Sequence, residues 1–516
     1  MLELRRVLKT PHSGVEDPPL RFGLDHFQSM TTTSNSRAST GIPGLDDILV
    51  GGFVPNRLYL VEGMPGSGKT TLAFQFLLEG ARRGESVLYV TLSETEEEIQ
   101  AVADSHGWNL EGVSIRELVP TAETLQPSEQ YTVFHPSEVE LSDTTRKILE
   151  DVDTLRPTRL VFDSLSELRL LAGNPLRYRR QILALKHYFA GRRCTVLLLD
   201  DLTAAEHDLQ VQSISHGSML LEHSLPAFGS ARRRLSVTKY RGSDYRGGYH
   251  DYVIHRGGIE VFPRLIAAEH RGESPRDRMP SGLAGLDSLV GGGLERGTST
   301  LIAGAAGTGK STVASLFCAR AAEDGKRSSL FIFDESPNTL FSRLSGLNID
   351  LKRHVDSGVV SVTQVDPAEL SPGQFIHSIR TSVEEGATIV VIDSLNGYLN
   401  SMPDEKFLII QLHELLTYLG QRGVATVLIA AHHGLISSYM TAPVDASYLA
   451  DSVVLMRYFE AEGEVRQAIS VVKMRGGAHE RSIREFMMRD GCISVGEPLR
   501  GYRGVLTGVP EKKSSS

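Results

Sequence analysis

Two stretches, GMPGSGKT at residues 63–70 and GAAGTGKS at residues 304–311, have the spacing of a phosphate-binding loop. Each follows a short apolar run typical of a buried parallel strand. Glycines in such a loop let backbone N–H groups face the phosphates, a lysine reaches the β- and γ-phosphates, and a hydroxyl ligates Mg²⁺. The sequence therefore predicts two sites for ATP and Mg²⁺. The predicted nucleotide-binding residues are Gly63, Gly66, Ser67, Gly68, Lys69, Thr70 and Thr71 in the first loop and Gly304, Gly307, Thr308, Gly309, Lys310, Ser311 and Thr312 in the second.

The two loops belong to a longer internal repeat. They begin 241 positions apart, and the same offset relates Thr40 to Ser281 and Asp46 to Asp287. Such a register indicates a duplicated domain. In both halves apolar runs alternate with segments of helical period, which predicts an α/β fold with a mainly parallel twisted sheet covered by helices in each half. The predicted strands are 58–61, 87–92, 160–162, 195–199, 235–238, 300–303, 330–333, 389–392, 426–430 and 468–472.

Local composition and the positions of proline predict the domain organisation. Residues 10–38 are rich in Pro, Ser, Thr and Asn, and residues 264–278 are charged and interrupted by proline. We expect five segments along the 516 residues. They are a flexible N-terminal arm (1–38), a first phosphate-loop domain (39–262), a linker (263–278), a second phosphate-loop domain (279–503) and a disordered tail (504–516).

Charge and cysteine content narrow the function classes. The chain has 54 Lys+Arg against 63 Asp+Glu, a net charge of −9, which disfavours a large basic surface for nucleic acid. Its three cysteines form no Cys-x-x-Cys pair, which favours a reducing, cytoplasmic compartment. No apolar stretch reaches the roughly 18 residues that span a bilayer, so no membrane association is expected.

Acidic residues follow the predicted strands at the edge where ligands bind. Asp163 and Asp393 close apolar runs and are placed like the acid that holds Mg²⁺ in phosphate-loop enzymes, beside the hydroxyls of Thr70 and Ser311. We therefore predict these four residues as metal ligands.

Three further carboxylates are candidates for catalysis. Glu94 in the first half, with Asp334 and Glu335 in the second, follows a predicted strand. A carboxylate beside the γ-phosphate can orient water or accept a hydroxyl proton as a general base. The alternative is that these acids serve as helix caps or first-turn acids.

A Lys-x-Arg-Gly element, expected just after the last strand of each half, supplies paired cations. Lys239 and Arg241 form one pair, and Lys473 and Arg475 form the other. Such a pair suits a contact with the γ-phosphate bound by a neighbouring subunit. A solvated turn is the alternative.

Together these elements resemble the KaiC family of RecA-like ATPases from about residue 40 to about residue 510, and the match is especially close over residues 472–486. The resemblance implies two tandem RecA-like phosphate-loop NTPase domains, ATP bound between subunits and a homohexameric double ring. It also implies ATP hydrolysis in the first domain, Ser/Thr autokinase activity in the second, and a signalling role with an unidentified protein partner.

The chain diverges from the clock members of that family. Ser93-Glu94 and Asp334-Glu335 stand where the family has tandem glutamates. Ser447 aligns with the phosphoacceptor serine, but Tyr448 replaces the acceptor threonine. His432 and His433 are interpreted as γ-phosphate sensors, with Asp200 and Asp201 in the corresponding place of the first half.

Two other functions remain open at this point. One is a RecA- or DnaB-like motor on single-stranded nucleic acid, for which the runs Arg232–Arg234 and Arg179–Arg180 are the basic candidates. The other is a slow, nucleotide-gated scaffold that presents different faces in its ATP and ADP states.

Overall fold

The computed structural model describes residues 37–118, 136–202, 209–226, 229–270, 272, 275–400, 407–431, 448–489, 491–507 and 511–512. Two sheets of nine strands each dominate this part of the chain. The first sheet contains β1 (Leu58–Gly63), β2 (Val87–Thr91), β3 (Val113–Glu117), β4 (Arg159–Asp163), β5 (Thr195–Asp200), β6 (Gly217–Ser224), β7 (Arg232–Tyr240), β8 (Tyr249–His255) and β9 (Gly258–Phe262). Its helices are α1 (Pro43–Ile48), α2 (Lys69–Arg82), α3 (Glu96–His106), α4 (Pro136–Leu155), α5 (Leu165–Ala172), α6 (Pro175–Ala190) and α7 (Leu209–Ile214).

The second repeat has the same element order. After a short pair of strands, β10 (Arg278–Met279) and β11 (Leu294–Glu295), its large sheet contains β12 (Ser299–Gly304), β13 (Arg327–Ile332), β14 (Val360–Gln364), β15 (Ala387–Asp393), β16 (Ala425–Ala431), β17 (Ser452–Ala461), β18 (Glu464–Met474), β19 (Arg484–Arg489) and β20 (Cys492–Pro498). A final pair of strands is β21 (Tyr502–Arg503) and β22 (Glu511–Lys512). The helices are α8 (Ala284–Leu289), α9 (Lys310–Glu323), α10 (Pro337–Ser345), α11 (Leu351–Asp356), α12 (Pro372–Glu384), α13 (Leu395–Asn400) and α14 (Leu408–Gln421), with 3₁₀ turns at Ala267–His270 and Val505–Thr507.

Both large sheets have one topology. The first runs β3-β2-β4-β5-β1-β6-β7-β8-β9 and the second β14-β13-β15-β16-β12-β17-β18-β19-β20. The first six strands in each order pair in parallel, and the last three join in antiparallel fashion. This arrangement confirms the predicted α/β fold with two RecA-like domains. It also brings the carboxyl ends of β1, β4 and β5 together, where ligands of such sheets bind.

The parallel strands are buried on both faces, which explains their nearly continuous apolar sequence. Val61 and Leu197 pack on one face of the first sheet, under α2, and their neighbours Leu60 and Leu198 pack on the other. The second repeat has a corresponding pair of core clusters. No helix in the described part of the chain is long and apolar enough to cross a membrane.

The antiparallel strands correct one sequence prediction. Lys239 lies inside β7 and Lys473 inside β18, and two more strands follow each of them in its sheet. The Lys-x-Arg-Gly elements therefore do not follow the last strand. The later strands carry polar residues on their half-exposed positions, so their sequences lack the apolar runs that marked the parallel core.

The predicted linker and tail contain packed residues. Leu265 and Ala267 are buried in a core cluster of the second repeat, and the Ala267 N–H donates to Glu414 Oε2 at 3.1 Å. Val505 was assigned to a disordered tail, but it is 2% exposed because it packs in a cluster with Phe459. Of the predicted flexible arm, residues 1–36 lie outside the described residues, and Ala38 forms a β-bridge with Phe53.

One hydrogen bond from β8 to α12 joins the two repeats directly. The Gly373 N–H, in the first turn of α12, donates to Asp251 Oδ2 at 2.7 Å. An acidic group at this end of a helix is also favoured by the helix dipole. Beside it, Arg232 donates to the Pro367 carbonyl at 2.8 Å, and the Ser230 N–H donates to the Ala368 carbonyl at 2.9 Å. The joint therefore uses polar groups of both repeats.

Replacing Gly373 with alanine would place a Cβ atom 2.7 Å from the Cβ of Asp251. Relief of this overlap requires the backbones of β8 and α12 to separate, so we expect Gly373→Ala to lower the free energy of unfolding by about 1–3 kcal/mol. Urea unfolding followed by circular dichroism measures the change. Gly191→Ala is the matched control, since a Cβ there meets no heavy atom within 4 Å. Equal urea midpoints for the two variants would contradict this role of the joint.

Candidate functional site

The first phosphate loop connects β1 to α2. Gly68, the residue before α2, has φ 94°, a left-handed conformation that glycine adopts without strain. A Cβ on Gly63 would lie 2.6 Å from the Leu221 carbonyl oxygen of β6. These positions therefore require glycine, and the free N–H groups at the start of α2 form the expected cradle for phosphate.

Lys69 lies under this loop and is nearly buried. Its Nζ donates to the Gly63 carbonyl at 2.7 Å and to the Met64 carbonyl at 3.2 Å. It also forms an ion pair with Asp201 Oδ1 at 2.8 Å. The sequence predicted the lysine, but it gave no sign that the acid after β5 would be its partner.

The predicted metal ligands of the first site lie together. Thr70 Oγ1 donates to Asp163 Oδ2 at 2.9 Å, and Tyr89 Oη donates to the same oxygen at 2.6 Å. Burial raises the pKa of Asp163, and the two hydroxyl donors oppose that rise. Tyr89 was not singled out from the sequence, because a tyrosine in a buried strand has no motif.

Glu94 stands beside this pair with one carboxylate oxygen unsatisfied. Its Oε2 is buried and has no hydrogen-bond partner. Burial raises the pKa of Glu94, and the negative charges of Asp163, Glu98 and Asp201 raise it further. A carboxyl group in this state can accept a proton, which is the property predicted for a general base.

The second phosphate loop borders a cavity of about 560 Å³, a size typical of small-molecule sites. Gly309 has φ 93°, and Lys310 Nζ donates to the Ala305 carbonyl at 2.7 Å. Burial lowers the pKa of Lys310. The predicted site residues that line this cavity are Gly307, Gly309, Lys310, Ser311, Thr312, Asp334, Glu335 and Asp393.

The acids of the second site have distinct partners. Burial raises the pKa of Asp393 to about 6, with the charges of Glu335 and Asp334 adding to the rise and a hydrogen bond from Ser311 opposing it. Ser394 Oγ donates to Asp334 Oδ2 at 2.5 Å. The two members of the Asp334-Glu335 pair are therefore not equivalent, because Glu335 is bound by an arginine.

That arginine, Arg343, was missed by the sequence analysis. Its Nη2 donates to Glu335 Oε1 at 2.6 Å and its Nη1 to Thr312 Oγ1 at 2.8 Å. It reaches the cavity from α10, and the residue at the corresponding offset in the first half is Val102. A single arginine on a helix face has no sequence signal of its own.

The structure excludes the helix-cap alternative for the predicted catalytic acids. Thr95 is the N-cap of α3 and accepts from the Glu98 N–H, and Ser336 is the N-cap of α10 and accepts from the Thr339 N–H. Glu94 and Glu335 each precede the capping residue. Their carboxylates are thus free of that structural role.

The two cation pairs lie toward the end of each sheet where the parallel strands begin, whereas the phosphate loop of the same repeat lies at the end where they finish. In the strand register, Lys239 of β7 pairs with Ser218 of β6, which pairs with Leu60 of β1, three residues before Gly63. In the same way, Lys473 of β18 pairs with Val453 of β17, which pairs with Leu301 of β12. Lys239 donates to the Ser215 carbonyl at 2.6 Å.

In the second repeat, Lys473 donates to the Ala450 carbonyl at 2.7 Å and Arg475 to the Tyr448 carbonyl at 3.1 Å. These carbonyl contacts anchor the cations at that end of the sheet. The contacts contradict the alternative that these residues form a solvated turn. Neither cation pair contacts the phosphate loop of its own repeat.

The predicted phosphoacceptor and the predicted γ-phosphate sensors have different outcomes. Ser447, His432 and His433 lie outside the described residues. Strand register pairs Asp200 with Glu62, and the matching pair in the second repeat is Ala430 with Ala303. The counterparts of Asp200 and Asp201 are therefore Ala430 and Ala431, and the match to the two histidines was wrong by two residues.

The donor set fits Mg²⁺ held together with a nucleotide. Thr70 with Asp163, and Ser311 with Asp393, each offer one hydroxyl and one carboxylate, the hard oxygen ligands that Mg²⁺ prefers. Among the described residues no three His, Cys, Asp or Glu side chains gather to hold a metal alone. Phosphate oxygens and water would have to complete the coordination.

Comparison with known proteins gives the family. A family model described as "ATPase: KaiC" matches residues 38–266 and 279–500. The circadian clock protein KaiC3 of Synechocystis sp. is 27% identical over 487 residues, which cover 93% of this chain and 95% of that protein. The circadian clock oscillator protein KaiC of Synechococcus elongatus is 26% identical, with 92% of each chain covered.

The fold and the two loops define a tandem phosphate-loop protein of the RecA-like class. Because the family model covers both repeats, the chain belongs to the KaiC family of ATPases. KaiC-type ATPase domains therefore stand in both halves.

We expect Gly309→Ala to weaken ATP binding at the second site by about 5- to 30-fold, since a β-carbon makes the left-handed conformation unfavourable by roughly 1–2 kcal/mol. That Cβ would also lie 2.8 Å from Phe486 Cε1. Titration of a Lys69→Ala background with a fluorescent ATP analogue isolates the second site. Gly191→Ala in the same background is the control. Unchanged affinity in the Gly309→Ala protein would contradict the assignment of this loop.

Proposed function

We propose that the chain hydrolyses Mg-ATP at both phosphate loops and acts in signalling as a homohexameric double ring. The observation that carries this proposal is the pairing of a buried lysine with a hydroxyl–carboxylate pair in each repeat, Lys69 with Thr70 and Asp163, and Lys310 with Ser311 and Asp393. Mg²⁺ would supply charge neutralisation for the transferred phosphoryl group. The lysines and the N-termini of α2 and α9 would position that group.

Ring assembly would complete each site. The cations Lys239, Arg241, Lys473 and Arg475 lie at the sheet edge away from the phosphate loop of their own repeat, so they suit the nucleotide of a neighbouring subunit. A cation offered in this way stabilises the charge of the transition state. The proposed site is therefore shared between two copies of the chain.

For the second repeat we also propose Ser/Thr autokinase activity with Ser447 as acceptor. Asp334 lines the cavity and is held by Ser394, so it is placed to accept a hydroxyl proton as general base. An unidentified signalling protein would read the resulting state. We also propose a cytoplasmic location, which the free state of Cys194, Cys318 and Cys492 supports.

The nucleic-acid motor is the weaker alternative. Arg232 of the basic run 232–234 donates to the Pro367 carbonyl at the joint, and the Arg234 guanidinium lies over the Tyr249 ring. Cations committed to such contacts are less suited to track a phosphate backbone. The slow scaffold differs from our proposal in turnover rate and needs no separate site.

Substitution of the two lysines tests the ATPase proposal. Lys69→Ala and Lys310→Ala should each remove part of the phosphate release from Mg-ATP, and the double variant should remove all of it, because each lysine serves one site. Intact-mass spectrometry after incubation with Mg-ATP tests the kinase proposal at the same time. A mass gain of one phosphate that disappears in both Lys310→Ala and Ser447→Ala is expected. Phosphate release by the double variant would overturn the ATPase proposal.

Mixing two inactive variants tests the shared site. In a Lys69→Ala background, chains with Lys310→Ala and chains with Lys473→Ala and Arg475→Ala should each release little phosphate. Co-assembly should restore release, because some interfaces then combine an intact loop with an intact cation pair. Native mass spectrometry verifies that six chains assemble. Mixed hexamers without restored activity would contradict cations acting across the interface.

A further inference from the structure

The serine that follows the metal-site aspartate holds a carboxylate in each repeat, but the two carboxylates come from different strands. In the second repeat Ser394 Oγ donates to Asp334 Oδ2 at 2.5 Å. In the first repeat the matching serine, Ser164, donates to Asp201 Oδ2 at 3.0 Å. Asp334 follows β13, which corresponds to β2 of the first repeat. Asp201 follows β5, which lies on the opposite side of β4 from β2.

The reason for the difference is visible in the sequence. At the offset that relates the two phosphate loops, Asp334 corresponds to Ser93, so the first repeat lacks a carboxylate at that position, and its strand-end acid is Glu94, one residue later. By strand register, Asp201 corresponds to Ala431, so the second repeat lacks a carboxylate at the other strand end. Each repeat thus has one carboxylate bound by the serine that follows its metal-site aspartate, Asp201 in the first and Asp334 in the second.

Asp201 is well placed for chemistry on a γ-phosphate. Its Oδ1 is 2.8 Å from Lys69 Nζ, the group that reaches the β- and γ-phosphates in a phosphate loop. Ser166 Oγ also donates to its Oδ2, at 3.2 Å. The Asp201 side chain is 29% exposed, so one face of it remains open to water.

We propose that Asp201 is the carboxylate that activates the attacking water at the first site, in the place that Asp334 occupies at the second. This inference rests on the proposed ATPase function. When the triphosphate draws Lys69 to its phosphates, Asp201 loses its ion pair and keeps the hydroxyls of Ser164 and Ser166. A water molecule between the freed carboxylate and the γ-phosphate is then oriented for attack.

The step balances without any further reagent. The water oxygen forms a bond to the γ-phosphorus as the bond from that phosphorus to the β,γ-bridging oxygen breaks. ADP leaves with the electron pair of the bridging oxygen, and Asp201 accepts one proton of the water. That proton passes to solvent, which restores the carboxylate for the next turnover.

The environment of Asp201 complements that of Glu94. Hydrogen bonds from Lys69, Ser164 and Ser166 lower the pKa of Asp201 and outweigh the effect of its burial, whereas burial raises the pKa of Glu94. When the nucleotide draws the Lys69 ammonium group away from Asp201, the carboxylate loses the largest of those hydrogen bonds. Asp201 therefore becomes more basic when substrate is bound, which a general base requires.

The test uses the full chain with Lys310→Ala, so that turnover reports the first site alone. Asp201→Asn keeps the size and hydrogen-bonding reach of the side chain but removes its basicity. We expect kcat to fall about 100-fold, within the range that general-base catalysis contributes. ATP affinity should stay equal or become tighter, because Lys69 loses a competing anion.

Asp153→Asn is the matched control. It removes an exposed carboxylate of the first repeat that pairs with Arg192 and not with Lys69. Its kcat should stay within about threefold of the Lys310→Ala parent, well short of a catalytic loss. ATP binding measured on each variant shows that the first site remains folded.

A compensating substitution gives a second, independent test. Asp201→Ala alone should be nearly inactive, and adding Ser93→Asp should restore at least about tenfold in kcat by recreating the arrangement of the second repeat. Failure of Ser93→Asp to restore turnover would count against the equivalence of the two carboxylates.

Two outcomes would overturn the inference in different ways. If Asp201→Asn binds ATP more tightly with unchanged kcat, Asp201 is only a counter-ion of Lys69, and the proposed ATPase function survives. If the Lys310→Ala parent binds ATP but releases no phosphate, hydrolysis at the first site fails together with this inference.

Discussion

The left-handed backbone at Gly68 and Gly309 is the constraint on which both sites depend. Their φ angles of 94° and 93° turn the chain from β1 into α2 and from β12 into α9 with the first helical N–H groups unpaired. A side chain at either position would also meet a neighbouring strand, Ile254 of β8 or Phe486 of β19. The antiparallel strands thus pack against the back of the phosphate loop, and the extra strands of each sheet are part of what shapes the site.

The direction of the strands then determines what one chain can supply. The parallel strands place Glu94, Asp163 and Asp201 at their carboxyl ends, on the side of the phosphate loop. The antiparallel return of β7 and β18 carries Lys239 and Lys473 toward the opposite end of the sheet, where the parallel strands begin. Cations at that end lie about 10 Å along the strands from the loop, at 3.3 Å per residue, and two strands to the side. A second copy of the chain is the simplest source of the missing positive charge, which is why our proposal needs a ring.

Sequence alone predicted the parts of the fold and site that depend on local patterns. Continuous apolar runs marked four of the six parallel strands in each sheet, but not β3 and β6 or β14 and β17. The loop motif and the acid after an apolar run together predicted that Lys69, Thr70 and Asp163 lie close to one another. It missed β8 and β19, whose half-exposed residues alternate with polar ones, and it assigned Val505 to a disordered tail although a remote contact buries it. It also missed Arg343 and the partner of Lys69, because these contacts join strand ends and helix faces that no short spacing relates.

The two sites show how duplication can keep a charge arrangement while changing its source. In the second repeat Arg343 binds Glu335, so Asp334 is the acid left beside the serine of Asp393-Ser394. The first repeat has Val102 in place of that arginine and Ser93 in place of Asp334, and its serine holds Asp201 instead. Since the carboxyl ends of β2, β4 and β5 converge, an acid lost from one strand end can be replaced from another without moving the backbone. Both repeats therefore share a carboxylate that is bound by the serine after the metal-site aspartate, and they differ in the strand that carries it.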